Sequence, residues 1–338
     1  MNGSVLCAED ISIGYSFSRH KRLVVAENLD LNLNMGELVC LVGPNGVGKS
    51  TLLRSLAGLQ PLLKGEVALL GKSLQKIQVR ELAQVISVVL TERVNVGAMS
   101  AYAVVALGRH PYTNWLGSLT GQDQRIVHES LRAVGAEDLS QRYFNELSDG
   151  ERQKIMIARA LAQEPMILLL DEPTAFLDLP RRVVLIQMLR DLAHQLKKAI
   201  LVSTHDLDLA LHSADIIWLM SRNSGFTMGA PEDLVLNGEF ERVFAQQGVK
   251  FDSQSGNFVF SPLPKKSVGL IGKGLTKLWT SKAFNRAGFD VLEGEQSQEN
   301  YIEILHKERK TFWRHHHGGV YEDFATIYEL IASFNNFQ

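Results

Sequence analysis

Apolar and polar residues alternate along 4–14 and again along 27–35, the two-residue period of strands with one face buried. The alternation then stops: ELVCLV (37–42) is a continuous apolar run, which predicts a strand buried on both faces. Beyond it Leu52, Leu53, Leu56 and Leu59 fall at helical spacing, and GEVALLG (65–71) predicts another strand. Residues 72–165 are mostly helical in pattern, interrupted by the polar and aromatic stretch HPYTNWLGSLTGQD (110–123), and read as a helical insertion. MILLLD (166–171), AILVST (199–204) and DIIWLM (215–220) are apolar runs of strand length, the first two separated by a helical stretch at 181–197. This succession predicts an α/β fold, a parallel sheet covered by helices.

SRNSGFTMGA (221–230) is rich in turn residues, and SPLPKKS (261–267) has the proline and lysine content of a linker. The expected division is a main domain at 1–250 with its helical subdomain at about 72–165, a linker at 251–267, and a small accessory α/β domain at 268–338. Leu278, Phe284 and Phe289 are candidate core residues of the accessory domain.

Composition changes this picture little. The 338 residues, 45% of them hydrophobic and 21% charged, suffice for two packed domains. A net charge of -2 gives no sign of a nucleic-acid binder or a strongly basic membrane-surface chain, although local patches are compatible with it. The two cysteines, Cys7 and Cys40, have no metal-type spacing, which suits a reducing cytoplasm. MNGSVLCAEDISIG lacks the basic and apolar segments of a signal peptide. AMSAYAVVAL (98–107) is about the longest apolar run, short of the roughly 18 residues of a membrane span. If the protein works at a membrane, another chain anchors it.

Chemistry enters at GPNGVGKST (43–51), between the buried strand and the helix. Gly43, Gly48, Lys49 and Ser50 meet the phosphate-loop pattern, and the loop as a whole, with Asn45, Gly46 and Thr51, is the candidate cradle for ATP. Glycines let backbone amides curl round a phosphate, Lys49 supplies a cation, and the Ser50 hydroxyl is placed for Mg2+. MILLLDEP ends in Asp171, a candidate to hold Mg2+ through water, and Glu172, a candidate general base for an attacking water. His205 ends the next strand, within reach of a γ-phosphate.

LSDGERQKIMIARAL (147–161) lies between these elements and resembles the signature motif of ATP-binding-cassette (ABC) ATPases. With GPNGVGKST, ILLLDEP, TAFLD (174–178) and STHD it extends the resemblance over residues 4 to about 250, in the family's order. The resemblance implies a P-loop ABC-type nucleotide-binding domain that works as a head-to-tail homodimer, the signature loop of each subunit closing on the nucleotide held by the other. By the same matching Ser148 and Gly150 contact phosphate, Tyr15 lies against adenine with Phe17 as the alternative ring, Glu172 is the base, His205 the switch histidine, and Asp178 belongs to the loop joining the subunits. Three positions depart from the family. Thr91 stands at the usual glutamine of the Q-loop, so that contact with Mg2+ there needs a bridging water or Glu92. Asp149 and Glu151 replace a glycine and a glutamine in the signature, and are expected to turn away from the phosphate by capping the helix.

A single cassette with a helical insertion resembles the motor subunit of a bacterial importer, and ALGRHPYTNWLG (106–117) is similar to the corresponding segment of iron-siderophore, haem and vitamin B12 importers. This implies two copies of a transmembrane permease as partners, a periplasmic or surface substrate-binding protein acting through them, no nucleic acid, and a peripheral place on the cytoplasmic face of the membrane. His110, Tyr112 and Trp115 are candidate anchors for a permease helix, or rings packed inside the insertion. The competing expectation is a soluble ABC ATPase acting on ribosomes, repair or cluster assembly, or an ATPase regulated by its tail. HHH (315–317) is expected to be solvated or structural, since consecutive helical residues cannot all face one ion, and GKG (272–274) lacks the rest of a phosphate loop.

Overall fold

The computed structural model describes residues 4–18, 21–91, 96–114, 117–221, 225–244, 249–252, 256–260, 266–293, 300–307 and 310–336. The chain forms two compact units, Met1–Phe244 and Ala245–Gln338. No helix among the described residues is long and apolar enough to cross a membrane.

The first unit opens with the antiparallel pair β1 (Ser4–Ser18) and β2 (Lys21–Asn34), then β3 (Leu38–Val42), α1 (Lys49–Leu56), β4 (Lys64–Leu69) and the short β5 (Lys72–Ser73). Four of these strands build a sheet in the order β2-β1-β4-β5. In β2 the buried Leu29, Leu31 and Leu33 alternate with exposed Asp30 and Asn32, the period expected of a sheet with one covered face. Next come α2 (Val79–Val85), β6 (Ile86–Val89), α3 (Ala101–Ala106), α4 (Gly121–Ala133), α5 (Asp149–Ala162), β7 (Ile167–Asp171), α6 (Leu179–Gln195), β8 (Ala199–Thr204), α7 (Leu207–Ser213), β9 (Ile216–Met220), β10 (Phe226–Gly229), α8 (Pro231–Leu236) and α9 (Glu239–Phe244).

The second sheet runs β10-β9-β3-β8-β7-β6, parallel throughout except for the edge strand β10. Its central strands are apolar at nearly every position because each face has its own core. Leu38, Leu168, Leu170, Ile200 and Val202 face residues of α3 to α6, while Val39, Leu41, Leu169 and Leu201 pack with α1 and the antiparallel sheet. Two strands of this sheet lie where the pattern predicts none: β6 within the helical stretch and β10 within the turn-rich connector. Four residues such as Ile86–Val89 do not distinguish strand from helix by period, and only pairing with β7 decides.

In the helical part, Arg109 is 3% exposed. Its guanidinium donates to Asp123 Oδ1 at 2.8 Å, the Ala162 carbonyl at 2.8 Å and Glu164 Oε2 at 2.7 Å, so it ties the 107–114 segment to α4 and α5. Gln163 continues the tie to the sheet, donating to the carbonyls of Ile86 at 2.8 Å and of Ala83.

The second unit holds the hairpin β11 (Val249–Asp252) and β12 (Asn257–Phe260), then β13 (Lys266–Ile271), α10 (Gly274–Arg286), β14 (Phe289–Glu293), β15 (Asn300–Lys307), β16 (Lys310–His317), β17 (Val320–Phe324) and α11 (Ile327–Asn336). Its main sheet is β14-β13-β15-β16-β17, parallel at β14-β13-β15 and antiparallel beyond. Phe284, Phe289 and Phe334 meet edge-on with centroids 5.0 to 5.6 Å apart, and Trp313 Nε1 donates to Thr280 Oγ1 at 2.8 Å. Phe284 and Phe289 are core residues as expected, but Leu278 is 51% exposed, because α10 turns Thr280, Ala283 and Phe284 inward. The three histidines lie on a strand and not on a helix. There His315 packs on Phe334 at 4.3 Å and bonds Asn300 Oδ1 at 2.8 Å, while His316 stacks on Tyr301 at 4.3 Å.

Candidate functional site

Parallel β3, β7 and β8 end at one edge of the sheet, which brings residues 43–51, 171–178 and 203–206 together outside their carboxyl ends. The loop after β3 admits only glycine at two points. A Cβ on Gly43 would stand 2.3 Å from the Met220 carbonyl oxygen, and one on Gly48, at φ 114°, would stand 2.2 Å from Val25 Cγ1. Gly46 is also left-handed, at φ 71°. Lys49 opens α1 beneath this loop, 6% exposed, and its ammonium donates to the Gly43 carbonyl at 2.8 Å and the Pro44 carbonyl at 3.4 Å. Burial lowers its pKa, with Glu172 and Asp171 pulling the other way.

Asp171 is the hub. One oxygen, Oδ1, accepts from Ser50 Oγ at 3.0 Å and from Ser203 Oγ at 2.7 Å, and its backbone carbonyl accepts from Thr91 Oγ1 at 2.7 Å. Ser203 also accepts from the Glu172 amide at 2.9 Å. Glu172 stands at φ 47°, a left-handed conformation costing about 1–2 kcal/mol in a residue with a side chain. Its carboxylate lies within 3.6 Å of His205 Nδ1. Ser203 opens the STHD motif, but the sequence assigns it no role at the site. It pairs in register with Asp171 across β7 and β8, and two uniform apolar runs do not display their register.

The donor set around Asp171 consists of oxygens next to a lysine, which fits Mg2+ held partly by a nucleotide's own phosphates. Among the described residues no group of three or more His, Cys, Asp and Glu is placed to hold a metal by itself. The structure leaves Thr91 lone pairs for such an ion but commits its hydroxyl hydrogen to the Asp171 carbonyl. Glu92 lies outside the described residues.

Tyr15 bonds Thr51 Oγ1 at 3.2 Å and stacks with Phe17, ring centroids 6.4 Å apart, so the two rings in β1 form one platform at the loop. Ser148 is the N-cap of α5, and Glu151 closes a capping box, its carboxylate accepting from the Ser148 amide at 2.7 Å and hydroxyl at 2.8 Å. Those two bonds, with Arg142 beside them, hold the Glu151 carboxyl below its usual range. Asp149 lies 3.6 Å from Arg152. The expected capping is therefore performed by Glu151. Gly150 follows in the first turn of α5, and Asp178 caps α6 by accepting from the Arg181 amide at 3.1 Å. A cavity of about 270 Å³ opens beside these elements, lined by Thr91, Gly97, Phe144, Arg152, Asp171, Glu172 and Phe176 among others.

The aromatic segment behaves differently from an exposed anchor. Tyr112 donates to the Gln163 carbonyl at 2.9 Å under the Arg109 guanidinium, 4.0 Å from its ring, and burial raises its phenol pKa. His110 is exposed, and Trp115 lies outside the described residues.

Residues 26–175 match the ABC transporter family, and residues 265–335 match the Iron ABC transporter C-terminal domain. An uncharacterized ABC transporter ATP-binding protein of Methanocaldococcus jannaschii is 42% identical over 292 residues, 86% of this chain and 99% of that protein. Among solved structures, an inward-facing conformation of a putative metal-chelate type ABC transporter superposes with TM-score 0.61 at 27% identity, covering 72% of this chain and 89% of that one. A dimeric ATP-binding cassette in a post-hydrolysis state bound to ADP and Pi superposes with TM-score 0.56 at 27% identity, covering 64% and 94%. Likeness over that length, with the phosphate loop and the acidic strand end at one sheet edge, makes the chain a member of the ABC transporter family, an ATP-binding and ATP-hydrolysing subunit.

Proposed function

We propose that this ATPase drives import of a metal chelate of the iron-siderophore, haem or cobalamin class through a separate membrane permease. The observation that carries the substrate class is the match of residues 265–335 to the Iron ABC transporter C-terminal domain, and likeness to a metal-chelate type transporter points the same way. ATP is held by the 43–51 loop with Tyr15 or Phe17 at the adenine. When bound, Mg2+ neutralises phosphate charge, and Ser50 and Asp171 are the residues that would hold it, with Thr91 contributing through water. Glu172 takes the proton of the attacking water, and His205, 3.6 Å from the Glu172 carboxylate, reaches toward the γ-phosphate. The solved dimeric cassette supports a paired subunit, in which Ser148, Gly150 and Asp178 of each copy close on the nucleotide of the other.

Two measurements test this. Glu172→Gln abolishes turnover and traps an ATP-bound dimer; near-normal hydrolysis in that variant removes Glu172 from the role of base. The chain isolated from its own membranes in mild detergent carries a many-span permease in comparable amount. Ribosomal, DNA-repair or cluster-assembly proteins in its place overturn the transport reading while leaving the ATPase intact.

A further inference from the structure

The inner face of α10 is fully used: Thr280, Ala283 and Phe284 are buried, and Thr280 takes the Trp313 indole bond. Its outer face is also apolar. Leu275, Leu278 and Trp279 are 71%, 51% and 57% exposed, at the i, i+3, i+4 spacing that puts them on one side of the helix. One turn further along the same side stand exposed Lys282 and Arg286, with the Lys282 ammonium 5.0 Å over the Trp279 ring. A surface helix ordinarily turns charged and polar residues outward, so an outer face of leucine and tryptophan needs a cover.

Charge identifies that cover. From residue 253 to residue 289 there is no Asp or Glu, while Lys265, Lys266, Lys273, Lys277, Lys282 and Arg286 all fall there. The whole chain, at net charge -2, is slightly acidic, so this concentration of cations is local. A ridge of leucine and tryptophan, bordered by lysine and arginine and free of acids, has the make-up of a helix lying in a membrane interface, where the rings and methyls enter the acyl boundary and the cations meet anionic headgroups.

We propose that the Leu275–Leu278–Trp279 face of α10 binds the surface of an anionic lipid bilayer. The second unit then gives the subunit a lipid contact of its own. Each cation at an anionic surface is worth about fivefold in affinity at moderate salt, and the contact weakens as salt screens it.

The test is flotation of the purified full chain, without permease, with vesicles of phosphatidylglycerol and phosphatidylethanolamine, and separately with pure phosphatidylcholine. The expected result is binding to the anionic vesicles, weak or no binding to the neutral ones, and a fall with added salt. Leu278→Ser with Trp279→Ser abolishes flotation, and Lys282→Gln with Arg286→Gln weakens it about 25-fold. All four side chains are solvent-facing, so far-ultraviolet circular dichroism and resistance of the second unit to limited proteolysis stay at the wild-type level in these variants and report its intact folding. No binding to anionic vesicles overturns the proposal, as does binding that survives the Leu278 and Trp279 substitutions. Self-association abolished by those substitutions, with no vesicle binding, assigns the face to a second copy of the chain and also overturns it.

Discussion

Ser203→Ala is the substitution that most directly tests how the acidic strand end is built. Ser203 is fully buried, donates to Asp171 Oδ1 at 2.7 Å and accepts from the Glu172 amide at 2.9 Å. A hydrogen bond to an ionised group contributes about 1.5–3 kcal/mol and a neutral one about 0.5–1.5 kcal/mol. The variant keeps the backbone carbonyl of this position, which already accepts from the Glu172 amide at 3.2 Å, and Asp171 keeps Ser50. The stability loss is therefore about 2–3 kcal/mol, toward the low end of the two bonds together. The catalytic loss comes from the part that positions Glu172 and Asp171, about 1–2 kcal/mol, which lowers kcat about 5- to 30-fold. Steady-state phosphate release measures kcat, and ATP binding in EDTA reads the phosphate loop without the metal. The loop does not touch Ser203, so metal-free affinity stays within about threefold. A kcat within about twofold of wild type, together with the stability loss, would mean that Ser203 only packs the strand end. An equal fall in metal-free ATP binding would place the damage in the phosphate loop, and refute the argument from the other side.

Arg109→Met leaves Asp123, 5% exposed, without its buried cation and lowers the unfolding free energy by about 3–5 kcal/mol in chemical denaturation; a loss below about 1 kcal/mol refutes the assignment of Arg109 as the tie between the 107–114 segment and α5. Burial, then His317 and His316, lowers the His315 pKa from 6.5 to about 4. A depressed folded value means the unfolded chain takes up the proton first, so the contribution is complete above about pH 6.5 and is lost as pH falls toward 4. Denaturation of the full chain followed at Trp313 shows this loss, about 1–2 kcal/mol once solvent screening of the half-buried ring is allowed for, and His315→Gln flattens the profile between those pH values.

What could be read in the sequence divides along a physical line. The phosphate loop was legible because its glycines answer to backbone geometry that is local in the chain: the left-handed turns at Gly46 and Gly48 need no knowledge of the rest of the fold. The capping by Glu151 was legible for the same reason, since serine and glutamate three apart close on each other within one turn. Ser203 was not, because its meaning depends on the register of two apolar strands. The inward turn of Tyr112 was legible only as one of two alternatives, because its partner Gln163 is distant in sequence and its ring is held by a buried arginine. Leu278 failed for a subtler reason. The helix it belongs to is apolar on both sides, so period alone could not choose which side faced the core, and the choice was made by Thr280 meeting the Trp313 indole.

The charges at the site follow a related logic. The Asp171 carboxylate is met by the hydroxyls of Ser50 and Ser203, and Lys49 is bonded to the loop carbonyls at the same edge of the sheet. Hydroxyls satisfy the hydrogen-bonding capacity of a carboxylate without neutralising it. Lys49 is stripped of water by burial, which disfavours its charge, while the two carboxylates favour it. Part of the electrostatic demand of each group is thus left for a ligand carrying both signs. A polyphosphate with a divalent cation would be such a ligand: Lys49 would meet its oxygens and Asp171 would hold its metal. Replacing the hydroxyls by a direct lysine–aspartate pair would make the sheet edge more self-sufficient and give ATP and Mg2+ less to complete.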